Sequence, residues 1–440
     1  MNHSKPQLLK AELYDAPVAP IKTIAIIGGG VASACLAQQI LTKAPELKVT
    51  LYCKDNLLAT GASGNKQGAI YPHLQGSHSV IAELSAECYR YALAFYRQLV
   101  HNGIQFQHQW CGVLQQAFTQ ELEQRYLRVA EVWPELVEYI DAKQSSQLAN
   151  LSLPFPSLWI PKGGWLAPFE FCQQVLQNLS DTGALSLKLN TQVTSLSRET
   201  GKWQLSVAEN KTKSEYDAIV VCSGHLSTQF SQTAHLPIEP IRGQVSRLHK
   251  ASSLSPLSTV LCHKGYITPS QGSYQCFGAT FDRDKDSTEP SQEDDKRNLA
   301  QLQRVYSEQS WSQTLKEPDI INRKAGIRAN SPDHQPIVGQ VYSDDWVRQN
   351  VDQNNGKMKR LDKSAYRDDQ SNPCYQANEW QNLFVFTGLG ARGLTTAPLM
   401  ADYLSDIMLD LPHALPERLV CAVSSKRYQV RELKRSKAKR

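Results

Sequence analysis

The chain has 440 residues, 41% hydrophobic and 20% charged, the balance of a soluble globular protein long enough for two or three domains. No apolar run approaches the ~18 residues of a membrane-spanning helix, and the polar start MNHSKPQLLK lacks the apolar stretch of a secretory signal, which points to the cytoplasm. Ten cysteines lie scattered with no C-x-x-C pair, so neither a metal site nor a disulfide framework is expected.

In chain order, residues 1–20, ending in APVAP, read as a flexible leader. Residues 24–33, IAIIGGGVAS, then join a short strand to a glycine turn and a helix. Gly28 permits the tight bend, Gly30 lets a phosphate approach the backbone, and the helix beginning near Ala32 aims its free N–H groups and positive dipole end at the same point. Ser33 stands where a third glycine would let helix and strand pack closely. Read alone, the turn suits any dinucleotide, or is only a tight turn. The apolar run 24–27, a helix over 34–41 and a strand over 48–53 complete a βαβ unit. Asp55, just beyond that strand, is the candidate for ribose hydroxyls, with a solvated turn aspartate as the alternative.

Residues 61–68, GASGNKQG, form a small-residue loop in which Ser63, Asn65 and Gln67 offer hydrogen bonds to a flat ligand. Helical spacing marks 79–100 and 169–179, and strands are expected over 187–197, 203–208 and 218–222, the last running into Ser223 and Gly224. From 340 to 375 the composition turns to Asp, Asn, Gln, Lys and Arg, the mark of an exposed insertion. Residues 382–401, NLFVFTGLGARGLTTAPLMA, read as a strand, a glycine turn and a second helix start fit for an anion, with Pro398 in its first turn. Residues 425–440 hold eight Lys or Arg against Glu432, a footprint for a phosphate backbone or a solvated tail.

Taken in this order, these stretches resemble the FAD-dependent amine oxidase family that contains D-amino acid oxidase, glycine oxidase and sarcosine oxidase. The resemblance implies an α/β fold in which a Rossmann-like FAD-binding domain is interleaved with a smaller substrate domain built on an antiparallel sheet. The FAD domain is expected at 21–75, 160–230 and 326–415, interrupted by a polar insertion at 343–375. The substrate domain is expected at 76–159 and 231–325, and residues 416–440 form a basic C-terminal tail. It further implies noncovalent FAD, held by Gly28, Gly30, Ser33 and Asp55, by Ala62, Ser63, Asn65, Gln67 and Gly68, by Val193, Ser223 and Gly224, and by Gly390, Arg392, Gly393, Leu394 and Thr395. Gly326 stands where some sarcosine oxidases attach the flavin through cysteine, and Cys276 where they carry an oxygen-activating lysine.

Five stretches carry a narrower resemblance: GASGNKQGAIYPHL, GGWLAPFEF, PIRGQVS, AGIRANSPDHQPIVG and GLGARGLTTAPLMADYL. They are similar to the oxidoreductase domains of the bifunctional enzymes that build 5-methylaminomethyl-2-thiouridine in tRNA. This implies a tRNA partner and oxidative removal of the carboxymethyl group from 5-carboxymethylaminomethyl(-2-thio)uridine at the wobble position, leaving the 5-aminomethyl base and glyoxylate. Arg328 matches the position where glycine oxidase-like relatives bind the substrate carboxylate. Arg242 is a second anion contact or a domain-interface arginine; Tyr71 and His73 line the pocket or pack; Trp165 shapes the cavity or stacks a base. Such enzymes usually carry an N-terminal methyltransferase domain, which the residues before Ile21 are too few to contain, so either a separate methyltransferase completes the base or the chain is a stand-alone version or a fragment. The core motifs alone leave open the oxidation of free glycine, sarcosine or a D-amino acid.

Overall fold

The computed structural model describes residues 20–208, 210–249, 252–283, 285–351 and 378–438. Positions 1–19 of the expected leader and 352–375 of the expected insertion lie outside the described residues.

A six-stranded sheet runs in the order Ile337–Gln340, Leu383–Thr387, Ala218–Val221, Thr23–Ile27, Lys48–Tyr52, Leu185–Lys188, parallel throughout except at the Ile337 edge. Thr23–Ile27 lies in its middle and is covered on both faces. Ile24 and Ile26 pack among helices, while Ala25 and Ile27 pack with Leu196, Trp203 and Leu205 of a three-stranded antiparallel sheet, Val193–Glu199, Lys202–Val207 and Asn210–Tyr216. This two-sided burial explains the unbroken apolar run, each isoleucine gaining about 1.5–3 kcal/mol on leaving water.

The single strand expected over 187–197 is two strands in different sheets, Leu185–Lys188 and Val193–Glu199. Between them Asn190 takes a left-handed conformation at φ 51°, and the N–H groups of Asn190 and Thr191 bond to the carbonyls of Asp55 and Cys53. The chain is thereby turned across the end of the Lys48–Tyr52 strand.

An eight-stranded sheet, antiparallel but for one pair, carries Ile320–Asn330 beside Glu239–His249 along their length. The boundary expected between 325 and 326 falls inside this 11-residue strand.

The helix expected over 79–100 is Val80–His101, capped by Ser79, whose hydroxyl accepts the Ala82 N–H at 3.2 Å. It packs on Gly393–Met408. Pro398 lies inside that second helix rather than in its first turn, so the Leu394 carbonyl lacks its helical donor.

Two other expectations change. The first part of the polar insertion is folded: Tyr342, Trp346, Val347 and Val351, the middle two on helix Asp344–Asn350, are buried together against Val430 and Leu433. The basic tail is two helices, Glu417–Val423 and Arg427–Ala438. Composition averaged over the stretch hid a helical apolar spacing at 342, 346 and 347. No helix among the described residues is long and apolar enough to cross a membrane.

Candidate active site

A cavity of about 970 Å3 is lined by residues of both large sheets. Gly28 forms one wall at φ +123°, and a Cβ there would lie 2.4 Å from the Cys222 carbonyl oxygen, so only glycine lets the two strand ends meet. Helix Val31–Lys43 starts at the cavity with no side-chain cap and no acidic residue in its first turn; its Val31 N–H donates to Ser63 Oγ at 3.1 Å. Helix Gly393–Met408 starts there too, likewise uncapped by a side chain and free of acids in its first turn. The two starts adjoin, since a Cβ on Gly393 would fall 3.2 Å from Val31 Cγ1. Two positive dipole ends thus converge on one space with no acidic residue in either first turn.

Asp55 accepts from Lys54 Nζ at 2.7 Å and Thr60 Oγ1 at 2.6 Å. Partial burial alone would raise its pKa, but these bonds and the nearby Lys54 and Lys324 charges bring it below the ordinary carboxylate value, so an ionised acceptor faces the cavity. The 61–68 loop closes against the strand carrying Gly326, where a Cβ would lie 3.2 Å from Ala62 Cα. Dipole ends for a pyrophosphate, a carboxylate for ribose and a loop of small residues for a planar ring together fit FAD.

At the far end Arg328 lies flat over Gly243, whose added Cβ would meet Nη1 at 2.3 Å. The only hydrogen bond of its guanidinium among the described residues is a long one to the Thr280 carbonyl, 3.4 Å, and no carboxylate there pairs with it. Burial lowers its pKa, partly offset by neighbouring Tyr266, whose hydroxyl donates to the Gln67 carbonyl at 3.1 Å. Tyr71, beside Cys262, is held as a neutral phenol by that thiol and by burial. His73 is held neutral by burial and by the charges of Arg392, Arg125 and His334, its pKa lowered to about 4.

The cavity lining unites Arg328, Tyr71 and His73 with Gly28, Gly30, Asp55, Ala62, Ser63, Asn65, Gly68, Val193, Ser223, Gly224, Gly390, Arg392, Gly393 and Leu394. Five expected site residues point elsewhere. Arg242 stands across from Ile327 while Arg328 stands across from Ile241, so the two arginines occupy opposite faces of the sheet. Arg242 is buried with Asp294 at 2.6 Å and with the carbonyls of Ser287 and Glu289, which makes it structural. Gln67 donates to the Pro269 carbonyl and accepts from Thr268 Oγ1 and the Cys276 N–H, tying the loop to the substrate sheet. Thr395 donates to the Tyr71 carbonyl at 3.3 Å, and Ser33 is buried beside Cys222. Trp165 is fully buried in the core, on the strand that pairs with Gly68–Ile70, and does not line the cavity. Tyr266, Tyr126 and Lys324, which belong to none of the motifs above, do line it.

Residues 23–407 match the family model described as DAO, FAD dependent oxidoreductase. The chain is 33% identical over 442 residues to the tRNA 5-methylaminomethyl-2-thiouridine biosynthesis bifunctional protein MnmC of Pseudoalteromonas translucida, covering 99% of this chain and 63% of that protein. It is 34% identical to MnmC of Vibrio campbellii, covering 94% and 60% respectively. The chain therefore spans less than two thirds of the length of these relatives. Among solved structures it resembles glycine oxidase from Geobacillus kaustophilus, with TM-score 0.70, 17% identity and coverage of 92% of this chain and 98% of that one. Iminodiacetate oxidase from Chelativorans sp. BNC1 is similar at TM-score 0.69 and 19% identity, covering 91% and 98%. At these identities the likeness shows the fold.

Proposed function

The chain belongs to the DAO family of FAD-dependent oxidoreductases, and from that premise we propose that it removes the carboxymethyl group from 5-carboxymethylaminomethyl(-2-thio)uridine at the wobble position of tRNA. The observation that carries the reading is Arg328: a half-buried guanidinium in the cavity, with no carboxylate of its own among the described residues, is a receptor for one. The similarity to two proteins named for tRNA modification, over nearly the whole chain, supports a nucleoside as the bearer of that carboxylate.

The modified base carries an N-alkylated glycine. Bound noncovalently, FAD supplies a two-electron acceptor. Arg328 grips the carboxylate and so fixes the adjoining methylene, while the neutral Tyr266 and Tyr71 phenols offer polar but uncharged walls around the amine. Loss of a hydride from the methylene and a proton from the neutral amine gives an imine. Water adds to it and splits it into the primary amine and glyoxylate. His73, neutral near pH 7, adds no positive charge against an amine that must shed its proton.

The test is anaerobic mixing of FAD-loaded protein with tRNA bearing the carboxymethylaminomethyl base. The oxidised flavin absorbance should bleach, and mass spectrometry should find the aminomethyl nucleoside, whereas free glycine and sarcosine leave the flavin oxidised. Fast bleaching by a free amino acid with none by the tRNA would overturn the proposal.

A further inference from the structure

Beside the main cavity lies a second concavity of about 340 Å3, lined by Gly76, Ser77, Glu121, Gln124, Arg125 and Arg128, a volume at the lower end of the roughly 300–1,000 Å3 of ligand pockets. We propose that it is a nucleotide subsite, holding the nucleotide next to the modified uridine with its phosphate on Arg125 and Arg128 and its base edge on Glu121 and Gln124. The proposal rests on the tRNA reading above and deepens it.

Three observations carry it. Arg125 lines both spaces, so the two adjoin. Two chain segments run from one into the other: Tyr71 and His73 line the main cavity and Gly76 and Ser77 the second, while on helix Gln120–Val132 Tyr126 and Val129 line the main cavity. Positions 121, 124, 125 and 128 recur at helical spacing and form one face of that helix, turned to the second space. The loop opposite is built of small residues; a Cβ on Gly76 would come 3.0 Å from Arg128 Cβ, so its backbone lies close against the helix.

The charges there are unspent. Neither the Arg125 nor the Arg128 side chain has a hydrogen bond or ion pair among the described residues, whereas nearby Arg90 is paired with Glu87 and Glu135 and Arg97 lies over Trp110. Arg392 joins Arg125 at the main cavity, and both charges add to burial in lowering the His73 pKa. A free amino acid would leave this surface idle. A base inserted from a polymer brings a flanking phosphodiester with it, and an arginine pair with adjacent amide and carboxylate groups suits that ligand.

The experiment compares FAD-loaded wild type, Arg128→Ala and Arg128→Lys. An unmodified anticodon stem-loop is titrated by fluorescence anisotropy over a range of salt, and the free nucleoside 5-carboxymethylaminomethyluridine is tested for flavin bleaching. The subsite predicts that R128A binds the stem-loop about tenfold more weakly, with a salt slope shallower by about 0.7 for the lost contact. It also predicts that R128K retains the slope and that R128A bleaches with the nucleoside at the wild-type rate. Stem-loop binding present in wild type and unchanged in R128A overturns the subsite and leaves the oxidation reading standing. An equal loss with stem-loop and nucleoside overturns it as well. Wild type that binds no stem-loop overturns both readings.

Discussion

The Tyr96 hydroxyl donates to the Leu394 carbonyl at 2.8 Å, supplying the hydrogen bond that Pro398, four residues on, has no N–H to give. Helix Val80–His101 therefore repairs helix Gly393–Met408 at the very start that faces the cavity. Tyr96→Phe keeps the ring contacts with Phe106 and Phe171 and strands a carbonyl, so it should cost about 1–3 kcal/mol. Urea denaturation of the FAD-loaded protein checks this; a midpoint equal to wild type would refute the repair.

Gly28→Ala should yield folded protein that retains little FAD. The added methyl meets the Cys222 carbonyl at 2.4 Å in a left-handed backbone, and strand ends forced apart no longer cradle a phosphate. Flavin absorbance per protein after gel filtration reads the outcome.

Arg328→Ala should bind FAD normally and lose about a hundredfold or more in the rate of flavin reduction by the carboxymethyl substrate, because a buried carboxylate loses its charge partner. Arg328→Lys should recover part of this, a point charge replacing a bidentate fork. Stopped-flow bleaching at saturating substrate separates the chemical step from binding.

His73 gives a pH signature. Burial, with Arg392, Arg125 and His334, lowers its pKa from 6.5 to about 4, so between these values the unfolded chain binds a proton that the folded chain refuses. Its contribution to stability is full above 6.5 and shrinks as pH falls through that window. His73→Gln should flatten the slope of unfolding free energy against pH there, and the ring resonance of His73 should titrate near 4 rather than 6.5.

Arg427 should matter to folding. Its guanidinium donates to Asp333 at 2.8 and 3.0 Å, and Tyr428 donates to the same carboxylate at 2.6 Å. Burial alone would raise the Asp333 pKa, but these bonds carry it well below the ordinary range. Arg427→Ala leaves that charge half-buried with one fewer partner and should cost on the order of 3 kcal/mol. Asp333→Asn in the same background should return part of the loss in a double-mutant cycle.

Much of this was readable from residues 24–33 and 382–401, because a glycine turn between a buried strand and a helix is a local instruction whose spacing survives in one dimension. Arg328 was readable as a candidate, but its separation from Arg242 was not. Both lie in paired strands, and which face each takes depends on a register between residues nearly ninety positions apart. Gln67 failed for a similar reason, its partners Thr268 and Cys276 being some two hundred residues distant. The apolar spacing at 342, 346 and 347 was present in the sequence and was masked by the polar residues around it.

Because Val31 and Gly393 bring two like-signed helix ends together at the cavity, a dinucleotide bound there would be the counterion that makes their approach favourable as well as the reagent. Cofactor supply then becomes a determinant of how much folded protein persists: a ligand that binds only the native state adds stability as the logarithm of its free concentration. Flavin supply would then raise the share of folded protein as well as the share of active enzyme.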